Sequence, residues 1–322
     1  MFENLESGIS LDFILWLQDN RTGWMEILSE ILSELGAEFG YIAIFGVIYW
    51  AINRREGLRL VFALVAIALV TFFLKDILGR PRPFQAFPDL VMPVFEADGN
   101  GLPSGHTSFA VMIWGYIALW VRKGWMGVFA LVYIALQAFG RMVTGVHYPQ
   151  DIVLGLLVGS VTLIAYVQVL PHWDNFWREQ NTGIQVIIAT AIPLILAVIA
   201  MLAPLQSDQI EAYLTMLGLA LGAGLAVIVE PRISDFIPHP QPTRQMAIFV
   251  LGTVLTVAVL FGLSPIFDAI AEDGVLAYSL RIVRYGTAGF VAIAIVPYLG
   301  TKLSLMQSRK NTRSSTILAS DT

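Results

Sequence analysis

Long apolar runs separated by short polar stretches dominate the chain. Nine runs are candidates to span a membrane, and they cover residues 38–52, 58–74, 107–121, 125–139, 152–170, 184–202, 213–229, 247–263 and 282–303. Runs of this length without β alternation favour helices, because a helix pairs its backbone groups internally in lipid. The pattern predicts an all-α integral membrane protein, a helical bundle of about nine transmembrane helices.

The first 36 residues follow a different pattern. Apolar residues recur at helical spacing over residues 9–17 and 24–35, with acidic residues such as Asp12, Glu26 and Glu30 between them. This spacing predicts N-terminal amphipathic helices that lie at the membrane interface. No basic region precedes them, so we expect no cleavable signal peptide.

These patterns also suggest a division of the chain. We predict an interfacial segment over residues 1–36, a five-helix core over 37–170, an interfacial linker over 171–183, four further helices of unknown role over 184–303, and a polar cytoplasmic tail over 304–322. Gly218 and Gly222, in the later helices, form a small-xxx-small pair that is typical of close helix packing.

Composition supports the membrane class and excludes some chemistry. The 322 residues are 57% hydrophobic and 13% charged, with a mean hydropathy of +0.71. The chain has no cysteine, which excludes disulfides and thiolate chemistry. We expect membrane lipids as surroundings and no nucleic-acid partner, and the pattern does not specify an oligomeric state.

The distribution of Lys and Arg predicts an orientation. Twelve of the nineteen fall on one side of the nine spans, namely Arg54, Arg55, Arg59, Arg122, Lys123, Arg178, Arg232, Arg244, Lys302, Arg309, Lys310 and Arg313. The positive-inside rule makes that side cytoplasmic. The C-terminus is then cytoplasmic, and the N-terminus lies outside.

Polar residues capable of chemistry cluster on the predicted outer side, at the ends of the first five spans. Lys75, Arg82 and Arg141 are three cations from two helix ends, and such a cluster favours a phosphate. Ser104 and Gly105 begin a helix whose free backbone N–H groups also favour an anion.

Two histidines accompany these cations. His106 and His147 supply two imidazoles, enough for a nucleophile and a proton donor. Pro149 suits the first turn of a helix, so Asp151, four residues after His147, is expected near the same helix face. A carboxylate there orients the imidazole and raises its basicity.

Three strings resemble the signature motifs of the type 2 phosphatidic acid phosphatase (PAP2) superfamily. They are Lys75-x6-Arg82-Pro83, Pro103-Ser104-Gly105-His106, and Arg141-x5-His147-x3-Asp151, and the resemblance covers roughly residues 38–170. The superfamily includes lipid phosphate phosphatases, glucose-6-phosphatase and vanadium haloperoxidases.

The resemblance implies a role for each matching residue. His147 would form a phosphohistidine, Asp151 would orient it, and His106 would protonate the leaving oxygen. The phosphoryl oxygens would be bound by Lys75, Arg82, Ser104, Gly105 and Arg141. No metal or other cofactor is implied. Gly140 stands where the superfamily usually has serine, so position 140 is left out of the site.

We therefore expect a metal-independent membrane phosphatase that hydrolyses a lipid phosphate or diphosphate monoester on the extracytoplasmic or luminal face. Two alternatives stay open: a water-soluble phosphate substrate, as for glucose-6-phosphatase, and a phosphatase coupled to lipid transport by the later helices. A vanadate-dependent peroxidase would share the site but is typical of soluble proteins.

Three further residues and one loop have an interpretation at this point. Arg80 is interpreted as an interfacial anchor, with phosphate contact as the alternative. His172 and His239 fall on the opposite side and receive no catalytic role. Residues 84–101 are expected to form an irregular loop over the site.

Overall fold

The protein is almost entirely helical over residues 8–309, the range that this computed structural model describes. The thirteen α-helices of this range are α1 (Ile9–Asn20), α2 (Gly23–Leu35), α3 (Glu38–Gly46), α4 (Arg54–Leu78), α5 (Pro83–Ala86), α6 (Gly105–Val121), α7 (Gly124–Val143), α8 (Pro149–Glu179), α9 (Thr182–Leu202), α10 (Ser207–Ile233), α11 (Pro242–Asp268), α12 (Gly274–Phe290) and α13 (Val296–Lys302). Two π-helical segments, Val47–Ile52 and Val291–Ile295, continue α3 and α12, and strands β1 (Phe236–Ile237) and β2 (Gln307–Ser308) pair antiparallel. The predicted all-α class is confirmed. Most of the predicted tail, and the first seven residues of the predicted interfacial segment, lie outside the described residues.

Seven helical segments of the described chain are long and apolar enough to cross a membrane. Helix α2 and the helical segment after it meet at a bend of 58° and would make an eighth span if the pair counts as one. Helix α6 is apolar, but its 17 residues are short for a span. The predicted number of nine is therefore not confirmed, although each predicted apolar run coincides with helical structure.

The chain divides into two compact units. One contains the chain up to Tyr41 together with Ala66–Trp173, and the other contains Ile42–Val65 together with the chain from Asp174 onward. The domain boundaries predicted from the sequence stay predictions. All eight predicted site residues belong to the first unit.

In the first unit, α2 packs against α7. Helix α2 buries Ser29, Leu32 and Ser33, whereas Trp24 and Ile27 are more than half exposed. An amphipathic helix directs one face towards protein, and here that face carries two serines. The predicted interfacial segment therefore has a polar, protein-facing side.

Helix α1 contributes to a small apolar core in the same unit. Leu11 and Ile14 pack with Val91 and Tyr148, and all four are buried. Burying a large apolar side chain contributes roughly 1.5–3 kcal/mol. Because Tyr148 follows His147 in the chain, this core also fixes the backbone next to a predicted site residue.

The second unit is held by polar contacts between its π-helical segments. Tyr49 and Trp50 are fully buried and donate to the carbonyls of Ile293 and Ala292, each at 2.8 Å. A π-helical turn disturbs the usual backbone hydrogen bonding, which leaves carbonyls free to accept from side chains.

Close helix packing at the predicted small-residue pair is confirmed. A β-carbon on Gly218 would lie 2.7 Å from the carbonyl oxygen of Ile282, and a β-carbon on Gly222 would clash with the backbone of Gly286. Helix α10 therefore approaches α12 more closely than larger side chains would allow.

Candidate active site

The first motif places two cations at the end of α4. Lys75 lies in the last turn of α4, and Arg82 precedes the short helix α5. Arg82 donates to the carbonyls of Asp98 at 2.7 Å and Gly99 at 3.0 Å, and Lys75 donates to the carbonyl of Asn100. The predicted loop over residues 84–101 therefore contacts both cations, and its first residues form most of α5.

The second motif lies at the N-terminus of α6, as predicted. Ser104 is the N-cap residue, but its side chain makes no capping bond, and its hydroxyl accepts from Thr107 Oγ1 at 3.0 Å. A β-carbon on Gly105 would meet nothing nearer than 3.9 Å, and one of its two neighbours would be Cε of Lys75 at 4.0 Å. The helix N-terminus and the lysine are both anion-binding groups, and they lie side by side.

The third motif pairs His147 with Asp151. Helix α8 begins at Pro149, as the sequence predicts, and Asp151 lies in its first turn. Asp151 Oδ2 lies 3.2 Å from His147 Nδ1 and accepts from the Tyr148 N–H at 2.9 Å. On the other side of the ring, Arg82 Nη1 lies 3.1 Å from His147 Nε2. A carboxylate accepts and a guanidinium donates, so the network assigns the proton to Nδ1 and the lone pair to Nε2.

The charge state of His147 suits a nucleophile. The residue is 1% exposed, and this burial lowers the pKa of His147 well below its usual value. The positive charges of Arg82, Arg141 and Lys75 lower the same pKa further. The imidazole is therefore neutral near neutral pH, which leaves the Nε2 lone pair available for attack.

Two glycines allow the second and third motifs to meet. Gly145 has a φ of +74°, a left-handed conformation that glycine adopts without strain, in the turn that leads from α7 to His147. A β-carbon on Gly155 would lie 2.8 Å from the carbonyl oxygen of Ser104, so glycine here lets α8 approach the start of α6. Through this approach the Ser104 N–H donates to the Asp151 carbonyl at 3.0 Å.

Arg80 is a buried part of the site, so its interpretation as an interfacial anchor is wrong. Its side chain is 1% exposed, and its Nη1 donates to Asp151 Oδ1 at 3.3 Å. Its guanidinium also lies 4.4 Å from the centre of the Tyr148 ring. The two carboxylate oxygens of Asp151 are thus held by different partners, with Arg80 on one and His147 on the other.

Sequence reasoning missed Ser33 of α2. The Ser33 hydroxyl accepts from Arg141 Nη1 at 2.9 Å, and the Ser33 backbone carbonyl accepts from His106. The Arg141 guanidinium also lies 5.2 Å from the centre of the Phe95 ring. The one sequence signal for this contact was a pair of serines, Ser29 and Ser33, four residues apart on an amphipathic helix.

The glycine at position 140 has a packing role. A β-carbon on Gly140 would lie 3.2 Å from Ser29 Oγ, so glycine allows α2 to pack closely against α7. The same approach brings the Ser33 hydroxyl to Arg141. A hydroxyl from α2 therefore contacts this arginine, although the chain lacks the serine that usually precedes it.

We predict that Ser33→Ala raises the KM for a phosphate substrate about 10-fold while kcat falls less, because Arg141 loses a hydrogen-bond partner that orients it. Initial rates of phosphate release over a range of substrate concentrations measure both constants. Ser29→Ala is the matched control, since Ser29 is buried on the same face but opposes Gly140. Ser33→Thr keeps the hydroxyl and should recover most of the affinity, whereas equal losses in the Ser29 and Ser33 variants would attribute the effect to helix packing.

The two remaining histidines, His172 and His239, lie outside the cluster formed by His106, His147 and the three cations. His172 is exposed near the end of α8. His239 belongs to the second unit, where its Nδ1 accepts from the Gln241 N–H at 3.1 Å and its Nε2 lies 3.1 Å from Arg244 Nη1. That neither histidine is catalytic stays a prediction.

The first unit thus brings all eight predicted site residues together at the ends of apolar helices. Three cations surround two imidazoles, and a carboxylate orients one of the imidazoles. Among the described residues, no group of three or more His, Asp or Glu could hold a metal ion. Fold and site together define a multi-pass membrane protein with a cluster of buried cations next to two histidines.

Comparison with known families agrees with this class. The PAP2 superfamily matches residues 56–177, and the transmembrane extension of PAP2 superfamily phosphatases matches residues 214–309. The two matches together cover more than half of the chain. The protein belongs to the PAP2 superfamily and is a membrane phosphatase.

Individual relatives are distant in sequence. Sphingosine-1-phosphate phosphatase 1 of Rattus norvegicus is 25% identical over 304 residues, which cover 83% of this chain and 70% of the relative. Undecaprenyl-diphosphatase of Sulfolobus acidocaldarius is 23% identical over 163 residues, which cover 50% of this chain and 79% of the relative. Among solved structures, Aquifex aeolicus LpxE has 20% sequence identity and a TM-score of 0.46, over 50% of this chain and 96% of that chain.

Proposed function

We propose that the protein removes the phosphate group from a lipid phosphate or diphosphate monoester. The observation that carries this proposal is the His147 ring, held by Asp151 at Nδ1 and by Arg82 at Nε2. This arrangement presents a neutral nitrogen lone pair beside a cation, which suits attack on the phosphorus of an anion. Two relatives are named for lipid phosphates, sphingosine 1-phosphate and undecaprenyl diphosphate, and these names support a lipid substrate.

In the first step, Nε2 of His147 attacks the terminal phosphorus, so that a P–N bond forms and the P–O bond to the leaving oxygen breaks. The leaving oxygen takes a proton from His106. Burial lowers the pKa of His106 well below its usual value, and the negative charge of the bound phosphate acts in the opposite direction and favours a proton there. The products are a phosphohistidine, whose ring Asp151 holds through Nδ1, and either a lipid alcohol from a monophosphate or a lipid monophosphate from a diphosphate.

In the second step, water attacks phosphorus and His106 accepts its proton. The P–N bond breaks, and inorganic phosphate leaves a neutral His147. The same five residues hold the phosphoryl oxygens in both steps: Lys75, Arg82, Ser104, Gly105 and Arg141. Lys75, Arg82 and Arg141 supply positive charge and the start of α6 supplies N–H donors for the transition state, so the proposed mechanism uses no metal ion.

The proposal places this site on the extracytoplasmic or luminal side and the C-terminus in the cytoplasm. Its basis is the excess of Lys and Arg at the opposite ends of the predicted spans. The phosphate headgroup of a lipid in that leaflet would lie at the depth of the helix ends that carry the site.

A substrate panel tests the proposed function. We predict that the purified protein hydrolyses lipid phosphates at least about 10-fold more efficiently, in kcat/KM, than glucose 6-phosphate, because an apolar tail adds binding energy. The panel contains phosphatidic acid, a sphingoid-base phosphate, polyprenyl monophosphate and diphosphate, and glucose 6-phosphate, with release of inorganic phosphate as the measurement. A His147→Ala preparation serves as the blank for contaminating phosphatases. Preference for glucose 6-phosphate would reject the lipid substrate and support the water-soluble alternative.

A further inference from the structure

A buried amide on α7 has no role in the proposed mechanism. Gln137 is 1% exposed, and neither its amide nitrogen nor its amide oxygen makes a hydrogen bond within the described chain. Buried polar side-chain atoms almost always have a partner, and one left without a partner destabilises the folded protein. An amide kept in this state needs an explanation outside the stability of the fold.

The amide lies beside the predicted proton donor. A β-carbon on Gly36, just after α2, would clash both with the amide nitrogen of Gln137 and with Cδ2 of His106. The two side chains therefore both lie against Gly36, at the end of α2. Glycine at position 36 leaves room for both side chains.

Helix geometry relates Gln137 to the phosphate-binding residues. Gln137 and Arg141 are four residues apart on α7, so they share a helix face and their β-carbons are about 6 Å apart. Arg141 lies at the C-terminal end of α7, where the phosphate is proposed to bind, and Gln137 lies one helical turn before it. His106 is proposed to protonate the leaving oxygen, and Gln137 lies against the same glycine as His106, so we place Gln137 on the leaving-group side of the proposed site.

We propose that the Gln137 amide is a substrate subsite for a hydrogen-bonding group close to the ester oxygen of the leaving group. This inference rests on the proposed function and specifies its substrate class. An amide both donates and accepts, so it suits an amine, a hydroxyl or an ester two or three bonds from the ester oxygen. Sphingoid-base phosphates and glycerolipid phosphates carry such groups, whereas plain alkyl and polyprenyl phosphates carry none there.

The test compares wild type with Gln137→Met, which has a similar shape and no amide. The substrates are a sphingoid-base phosphate, phosphatidic acid and octadecyl phosphate, each in the same detergent micelle. A site built to hydrogen-bond a substrate group discriminates strongly against analogues that lack it, so we expect the variant to lose about 10-fold to 100-fold in kcat/KM on its polar substrate. Octadecyl phosphate should be hydrolysed at an unchanged rate. The polar substrate whose kcat/KM falls more in the variant is the preferred lipid.

Thermal unfolding of the unliganded proteins provides a second measurement. Removing an unpartnered buried amide should raise the Tm of Gln137→Met by about 2–4 °C, whereas loss of a structural hydrogen bond would lower it. Leu136→Met, at the adjacent and partly exposed position, is the matched control and should change neither rates nor Tm.

Three outcomes would overturn the inference: an equal loss on all three substrates, no loss on any, or a lower Tm. None of these three outcomes contradicts the proposed function. That function is rejected by a different result, namely that wild type releases no more phosphate than the His147→Ala blank. Lower activity towards one polar lipid with a higher Tm is the combination that supports the subsite.

Discussion

Replacement of His147 by alanine should lower the rate of phosphate release by at least about 10⁴-fold, because it removes the proposed nucleophile. No other described imidazole has the same arrangement, with a carboxylate at Nδ1 and a guanidinium at Nε2. The covalent intermediate gives the sharper measurement. Wild type is mixed with substrate labelled in the phosphoryl group and quenched rapidly without acid. This should trap a labelled protein whose P–N bond is labile in acid and stable in alkali. The His147→Ala variant should trap no label.

The control for this variant is His172→Ala. It makes the same chemical change at an exposed position on α8, and it should leave both turnover and trapping at the wild-type level. Loss of activity must also be separated from loss of fold, because His147 is fully buried beside the Leu11, Ile14, Val91 and Tyr148 core. A folded His147→Ala protein that keeps more than about one hundredth of the wild-type rate would reject His147 as the nucleophile.

The parts of the site that depend on short stretches of sequence could be predicted. The start of α8 at Pro149, the His147–Asp151 pair four residues apart, and Ser104 at the start of α6 all follow from local rules of helix geometry. Apolar run length also predicted where the helices lie. The number of spans was less accessible, because α6 has only 17 residues and α2 is bent against the segment that follows it.

Contacts between distant segments could not be predicted in this way. Ser33 and Arg141 are 108 residues apart, and Arg80 and Asp151 are 71 apart. Hydrophobic periodicity shows that α2 is amphipathic, but an apolar face packs equally well on lipid or on another helix. In the structure α2 packs closely on α7 at Gly140, so Ser33 faces protein and not lipid. The sequence does not show which helix α2 packs against, because that depends on the three-dimensional arrangement of the helices.

Arg80 illustrates the same limit within a single motif. Arginines at 80 and 82 alternate with prolines, and either could have been an anchor at the membrane surface. In the structure Arg82 reaches the Nε2 side of His147, whereas Arg80 reaches Asp151 and the ring of Tyr148. One arginine therefore supports the proposed nucleophile directly, and the other supports it through the carboxylate.

Replacement of His106 by alanine should reduce turnover of an alkyl phosphate by about 10²-fold to 10⁴-fold, the usual contribution of a general acid. An alkoxide is a poor leaving group and needs the proton that His106 is proposed to supply. A nitrophenolate leaves without protonation. With a nitrophenyl phosphate that carries an alkyl chain on its ring, the first step should therefore be nearly as fast in the His106→Ala variant as in wild type. The measurement is the release of nitrophenol in the first turnovers after rapid mixing, for wild type and for the His106 and His147 variants.

The two steps of the mechanism make this comparison specific. In the His106→Ala protein, phosphohistidine should still form from the nitrophenyl substrate, but its hydrolysis should be slow because no imidazole accepts the proton of water. The trace should then show a rapid burst of nitrophenol close to one equivalent per protein, followed by slow turnover. His147→Ala should show no burst, since no covalent intermediate forms. If the His106 variant loses its burst as well, His106 contributes to binding or to packing beside Ser33, and its assignment as the proton donor is wrong.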